Sequence, residues 1–369
     1  MYRGCSIHQW LVDSAIFVTS YPQGSRVFRN KKEISHNAVL NQGEEMKVKK
    51  SCIIVLLTLF YVFQSVESYA QNENVVVKDA VALSELEDHF TFMIASDLGR
   101  NGYYDQKPVA EMMGEVADVV EPEFVAALGD IHHFLGIRSV HDPLWETNFE
   151  WIYKHPELMI SWHPVLGNHE YMGNSQAFLD YSQISRRWEM PDRYYAVTWP
   201  VSEKVDALML FIDTPPLIDK YRKNPEDFED AGKQSMERQL AWIDSTLSVS
   251  TAKWKVIMGH HPIYAGTTKS RSERRDLQIR LKPLLDKHEV DFSVCGHIHN
   301  FQHIRVPQSG VDYFVNTSAS LTRKVVEVDG ALFGSPDPGF SLCTVKENAL
   351  IMTFVNDKGE IIYQYSREK

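Results

Sequence analysis

Short apolar runs recur along the chain, and most stop abruptly at a polar residue. Phe90–Ala95 runs into Ser96-Asp97, Glu123–Leu128 into Gly129-Asp130, and Trp162–Leu166 into Gly167-Asn168-His169. Ala207–Ile212 runs into Asp213, Trp254–Met258 into Gly259-His260-His261, and Val290–Cys295 into Gly296-His297. Their length and β-branched content predict strands. Helical patterns lie between them at Pro108–Val120, Ser235–Leu247 and Asp276–His288. Alternating strands and helices predict an α/β fold. Phe340–Ser366 alternates around Lys346-Glu347-Asn348 and Asn356-Asp357-Lys358-Gly359, as an antiparallel hairpin set completing a sheet would. No repeat, low-complexity tract or linker divides residues 71–369, which read as one domain.

Ligands of open α/β sheets bind at the C-terminal ends of strands. Several of these ends carry glycine (Gly99, Gly129, Gly167, Gly259 and Gly296), which permits a tight turn. The side chains delivered there are two Asp, one Asn and several His. Oxygen donors mixed with imidazole suit Zn, Fe or Mn rather than Ca or Mg alone. Gly296-His297-Ile298-His299 places two imidazoles on one strand face. One carboxylate between two cations, closed by His and Asn, is the plan of a two-metal hydrolytic centre. A lone Gly-Asp is usually only a turn; the whole ordered set is hard to explain that way.

On these segments the sequence resembles the calcineurin-like metallophosphoesterases, and within them the small purple acid phosphatases of the tartrate-resistant type. The resemblance runs from about Phe92 to Tyr365, with Tyr181–Trp188 and Gly339-Phe340 supporting it outside the site. It implies a four-layer α/β/β/α sandwich with two metal ions. It implies Asp97 and His299 on the first metal, Asp130 bridging, and Asn168, His260 and His297 on the second. His169 would stand beside the phosphate.

Two departures matter. The purple enzymes end a Gly-Asp-x-x-Tyr motif in a phenolate that ligates Fe(III). Here Gly129-Asp130-Ile131-His132-His133 puts His133 in that place. The colour-giving charge transfer should be absent. His133 is expected to bring an imidazole to the first metal, because Gly99 stands where other branches carry His; His132 is the fallback. Losing a hard phenolate opens the site to Fe(II), Mn or Zn, the identity staying open. The purple enzymes also place a His a few residues beyond Gly-His-x-Pro, and Ala265–Ser270 has none. The general acid is therefore open between His169 and, more weakly, His261, while Lys269 offers phosphate a point charge.

Composition changes the picture little. The 369 residues are 44% hydrophobic and 24% charged, with a formal net charge of −11. No basic stripe stands out, so nucleic acid is not an expected partner beyond a possible nucleotide substrate. Met46–Lys50 is a basic start, Cys52–Phe63 an apolar run, and Ser68-Tyr69-Ala70 a small-x-small site. That layout is a secretory signal peptide over residues 46–70, too short to span a bilayer comfortably. Residues 1–45 then read as a mis-called extension, and an uncleaved anchor is the rival. Secreted or periplasmic placement follows, with no stable membrane insertion. Cleavage removes Cys5 and Cys52; Cys295 and Cys343 remain, a buried free thiol being the better reading for Cys295 than a bridge.

The implied activity is phosphomonoester hydrolysis of a small phosphorylated molecule by a metal-bound hydroxide, with Asp130 and His169 as catalytic residues. Phosphodiesterase or nucleotide hydrolase action on the same centre stays open, as does a non-catalytic extracellular metal-binding or interaction protein. His89, His141, His155, His163, His288 and His303 are expected at the surface or in packing. Tyr103, Tyr104, Trp145 and Tyr171 either line the cleft or pack, and the Pro215–Lys233 loop is either a lid or mobile. Oligomeric state is not legible.

Overall fold

A computed structural model describes residues 76–87 and 89–369. The expected signal peptide, the segment before it, Cys5 and Cys52 lie outside the described residues. Strands are β1 (Phe90–Ala95), β2 (Phe124–Ala127), β3 (Ser161–Pro164), β4 (Tyr195–Ser202), β5 (Val205–Phe211), β6 (Trp254–Met258) and β7 (Phe292–Cys295). They continue as β8 (Phe301–Arg305), β9 (Asp312–Val315), β10 (Ala331–Ser335), β11 (Gly339–Val345), β12 (Ala349–Asn356) and β13 (Ile361–Glu368). The longer helices are α1 (Gln106–Val120), α2 (Met236–Val249) and α3 (Arg271–Arg280), with a shorter α4 (Lys282–Lys287) after them.

Two mixed sheets result. One has six strands ordered β13-β12-β11-β1-β2-β3; the other has seven, ordered β10-β8-β9-β7-β6-β5-β4. β1, β2 and β3 pair in parallel, as do β5, β6, β7 and β9. The parallel strands are buried on nearly every residue, which explains their near-continuous apolar runs. β11, β12 and β13 form the antiparallel hairpin set expected from the C-terminal alternation.

Aromatic side chains fill the space between the sheets. Phe124 of β2 stacks on Phe92 at 4.8 Å and meets Phe211 of β5 at 6.5 Å. Phe301 of β8 stacks on Phe354 of β12 at 4.5 Å. Each such ring contributes about 1.5–3 kcal/mol by burial. Helices complete the α/β/β/α sandwich. Cys295 and Cys343 are free and buried, one in each sheet. Among the described residues no helix is long and apolar enough to cross a membrane.

One element departs from the sequence reading. The pattern over Asp276–His288 predicts a single helix; the chain forms α3 and α4, starting five residues earlier and breaking at Leu281. Pro283 is the cause, since it has no N–H to give and its ring clashes with the carbonyl four residues back. The early start was hidden because Arg271–Arg275 has no apolar residue. The Pro215–Lys233 segment is no free loop either. It winds into short helical turns and buries Leu217, Ile218, Tyr221 and Phe228.

Candidate metal centre

The C-terminal ends of β1, β2, β3, β6 and β7 converge. Asp97, Asp130, His297 and His299 all sit at positive φ, between 52° and 68°. A non-glycine residue there costs about 1–3 kcal/mol, so its surroundings must over-determine it. They do. Asp97 N donates to Gly129 O (3.0 Å), and Asp97 O accepts from Ser318 Oγ (3.0 Å) and Ser320 Oγ (2.6 Å). The buried Glu170 carboxylate accepts from the backbone N of Asp130 (2.8 Å), Ile131 (2.8 Å), His132 (3.3 Å) and Gly167 (2.6 Å). It staples the β2 turn to the β3 turn. Burial, then Asp130, pushes the Glu170 pKa up to about 7. A Cβ on Gly167 would lie 2.3 Å from Asp130 Oδ1, so only glycine lets the two turns touch.

The aimed side chains form overlapping clusters. Potential ligand atoms of Asp97, His133 and His299 lie within 4.8 Å of one another, as do those of Asp97, Asp130 and His260. His299 Nε2 is 3.1 Å from Asp97 Oδ1, His260 Nε2 is 3.1 Å from Asp130 Oδ2, and His297 Nδ1 is 3.2 Å from His260 Nε2. Asp97 Oδ1, His133 Nε2 and Asn168 Oδ1 are buried without a hydrogen-bond partner. Orphaned buried donors and acceptors are costly, and two cations would satisfy these three. Burial alone would lower the His260 pKa, but Asp130 raises it to about 10, so the pair calls for a proton or a cation between them. Asp97 and Asp130 lie well below the carboxylate range despite burial, chiefly through His299 and His260 respectively. The donor set therefore fits a dinuclear centre.

Adjacent histidines have opposite surroundings. His133 Nδ1 donates to Gly99 O at 3.0 Å, leaving Nε2 directed toward Asp130 Oδ2, 3.6 Å away. His132 lies among aromatic rings, edge-on to Trp145 at 4.7 Å and 5.6 Å from Phe178, with neither nitrogen bonded. The cluster thus contains His133, and the fallback His132 is packing. Burial pushes both pKa values down to about 3. A side chain at position 99 is sterically barred: a Cβ there would sit 1.9 Å from Ile131 O. Among the described residues, the imidazole of position 133 lies in the Asp97–His299 cluster instead.

His169 stands at the mouth, partly exposed. Its Nδ1 donates to Phe134 O, and its Nε2 is 3.8 Å from Asp130 Oδ2. His261 is closed. Its Nε2 meets Tyr221 OH (2.9 Å), whose one proton goes to Glu273 Oε1 (3.1 Å), while its Nδ1 meets Thr214 Oγ1 (2.8 Å). Burial, then His297 and His260, holds it neutral. Its one N–H is engaged by Tyr221 OH.

Sequence reasoning missed Glu273. It lies in the first turn of α3, accepts from His297 Nε2 (3.1 Å) and pairs with Lys220 (2.7 Å). Burial would raise its pKa, but the hydrogen bonds from His297 and Lys220 hold it well below the usual range. It fixes which His297 nitrogen faces the cluster. No strand-end signal marks it, because it comes from a helix that the apolar pattern left undetected. Tyr171 packs inside, while Tyr103 and Tyr104 are exposed; Trp145 is buried.

Residues 90–301 match the family described as calcineurin-like phosphoesterase. Purple acid phosphatase 3 of Arabidopsis thaliana is 30% identical over 323 residues, covering 84% of this chain and 86% of that one. Tartrate-resistant acid phosphatase type 5 of Sus scrofa is 27% identical, covering 69% and 78%. A solved structure of GAP50, the anchor in the inner membrane complex of Plasmodium, superposes with a TM-score of 0.66 at 24% identity, covering 76% of this chain and 89% of that chain. That last likeness is one of fold.

Proposed function

The chain belongs to the calcineurin-like phosphoesterases, metal-dependent enzymes, and on that footing we propose that it is a secreted phosphomonoesterase acting on small phosphorylated molecules. The observation that carries this reading is the cluster of Asp97, His133 and His299 overlapping that of Asp97, Asp130 and His260, with His133 Nε2 buried and unbonded, and Asn168 Oδ1, buried and unbonded, on the adjoining β3 turn. Asp97, His133 and His299 would hold the first cation, Asn168, His260 and His297 the second, with Asp130 shared. When bound, the cations supply Lewis acidity to phosphoryl oxygens and lower the pKa of water.

The protein's own part is positioning. Leu128 O takes the His260 Nδ1 proton (2.7 Å), Glu273 takes that of His297 Nε2, and Leu321 O takes that of His299 Nδ1. Each imidazole is thereby aimed inward as a lone-pair donor. His169, with Phe134 O fixing its Nδ1–H, presents Nε2 toward the mouth, where it can meet a phosphoryl oxygen or the leaving group. With His261 closed, His169 is our general acid. Relatives named acid phosphatases support the monoester.

Elemental analysis combined with rates on p-nitrophenyl phosphate and bis-p-nitrophenyl phosphate tests the proposal. Two metals per chain and a preference for the monoester are expected. A diester preference moves the reading to phosphodiesterase; metal without turnover moves it to a binding protein. The iron-loaded protein should lack a visible charge-transfer band, and its presence would remove His133 from the first metal. Secretion rests on the 46–70 leader, and N-terminal sequencing of exported protein should begin at Gln71.

A further inference from the structure

Arg100 follows the β1 turn and is nine-tenths buried. Its backbone N donates to Gln106 Oε1 (2.9 Å), and its Cζ lies 5.1 Å from the centre of the Phe134 ring. Among the described residues its guanidinium makes no hydrogen bond and no ion pair, and its Nε is buried without an acceptor. Other buried arginines bond through their terminal nitrogens, even where Nε is unmet as in Arg187. Arg187 reaches Tyr153 O, Leu158 O and Glu150, and Arg193 reaches Tyr171 OH and Ser175 Oγ.

The carboxylates near Arg100 are Asp97 and Asp130, which the centre uses for cations. Arg323 carries the same charge and is tied to the same cluster: its backbone N donates to His299 O (2.7 Å), the His299 and His133 rings lie 5.8 Å apart, and His133 N donates to Gly99 O beside Arg100 (3.3 Å). Arg323 is exposed and lines a cavity of about 230 Å³ with His297, Ser270, Lys269 and Lys324. Two guanidiniums therefore flank a centre that is itself cationic when loaded, on a chain whose net charge is −11. With Asp97 and Asp130 committed to the cations, the buried Arg100 has no hydrogen-bonded counter-charge of its own, and an incoming anion would supply one. The planar guanidinium fork matches carboxylate and phosphate alike.

We propose that Arg100 and Arg323 form a second anion subsite beside the metal centre, which holds a carboxylate or second phosphate carried on the substrate's leaving group. The subsite rests on the hydrolase reading for its role, though not for its existence. It selects esters with two anionic groups over simple alkyl or aryl phosphates.

Three esters on one carbon skeleton test it: glycerol 3-phosphate, 3-phosphoglycerate and glycerol 1,3-bisphosphate. The wild type should prefer one or both doubly anionic esters over glycerol 3-phosphate by roughly tenfold or more in kcat/KM, as charge-assisted contacts give. The carboxylate and phosphate arms identify the anion held. R323Q and R100Q should shrink the preference at least about fivefold, mainly through KM. Arg323 is exposed, so its variant reads the subsite even where R100Q fails to fold. Calorimetry with phosphonoacetate against methylphosphonate reads it without turnover. No preference in the wild type, or one that survives R323Q and a folded R100Q, overturns the subsite. Tighter, Arg323-dependent binding of phosphonoacetate by a protein that cleaves none of the esters would sink the hydrolase reading and leave the subsite standing.

Discussion

The two sheets furnish the centre in different ways. The six-stranded sheet delivers every oxygen donor, Asp97, Asp130 and Asn168, and one imidazole, His133. The seven-stranded sheet delivers imidazoles alone, His260, His297 and His299. In the first half the carboxylates are aimed by the backbone, through left-handed turns held by Glu170, Ser318 and Ser320. In the second, His297 and His299 share that left-handed backbone, and the ring's far nitrogen adds the final orientation, through Leu128 O, Glu273 and Leu321 O. A carboxylate needs its chain placed; an imidazole needs its tautomer chosen. Damage to the first half should therefore cost structure and function together, and damage to the second should cost metal alone.

Replacing the proposed shared ligand gives the largest expected effect. D130A should lose both metals and fall to background turnover, read by elemental analysis and p-nitrophenyl phosphate hydrolysis. Full activity would end the two-metal reading. E170A comes next, because four backbone N–H groups lose one acceptor. At about 1–3 kcal/mol for each unmet group, less what water and relaxation recover, we expect about 3–5 kcal/mol of lost stability by urea denaturation. E170Q keeps an acceptor oxygen and should recover part of it. A folded, stable E170A would show that the turns hold themselves.

E273A tests the other half. Metal affinity should fall roughly 10–100-fold, read by chelator competition, as loss of an imidazole's outer partner generally does. Its metal-free unfolding midpoint should move less than that of E170A, and E273Q should restore affinity because it still accepts from His297. Equal stability losses in E170A and E273A would dissolve the distinction between the halves.

The sequence was most legible where chemistry sits at a strand end. β1 and β6 match their apolar runs at both ends, and the polar residues just beyond them, Asp97 and His260, lie in the cluster. The missing tyrosine was also readable, since His133 stands where the Gly-Asp-x-x-Tyr motif ends. What was not legible comes from elsewhere. Glu273 lies on a helix whose first turns are all polar, so no periodicity announces it. Glu170 was visible within Gly-Asn-His-Glu, but its partners are backbone N–H groups from another turn, which no residue type encodes. β10 is largely exposed and has no apolar run to detect. His132 and His133 are chemically identical in sequence, and only the turn decides which one packs against Trp145.

The smallest predicted effect concerns the place where the halves join. Asp213 follows β5 of the seven-stranded sheet, and its Oδ2 accepts from Tyr171 OH, which follows Glu170 in the β3 loop of the other half. Burial raises its pKa from 3.8 to about 7, against the opposing pull of Arg193 and the Tyr171 hydrogen bond. A carboxyl whose folded pKa is raised binds its proton more tightly when folded. Its contribution to stability is full below the unfolded pKa and is lost as pH rises through about 7. Asparagine mimics the protonated carboxyl and does not titrate. The Tm of D213N relative to the wild type should therefore rise in the variant's favour between pH 5 and pH 8, by a few degrees. A difference that stays flat over that range would mean that Asp213 remains ionised, and that the halves are tied by charge through Arg193 rather than by a neutral hydrogen bond through Tyr171.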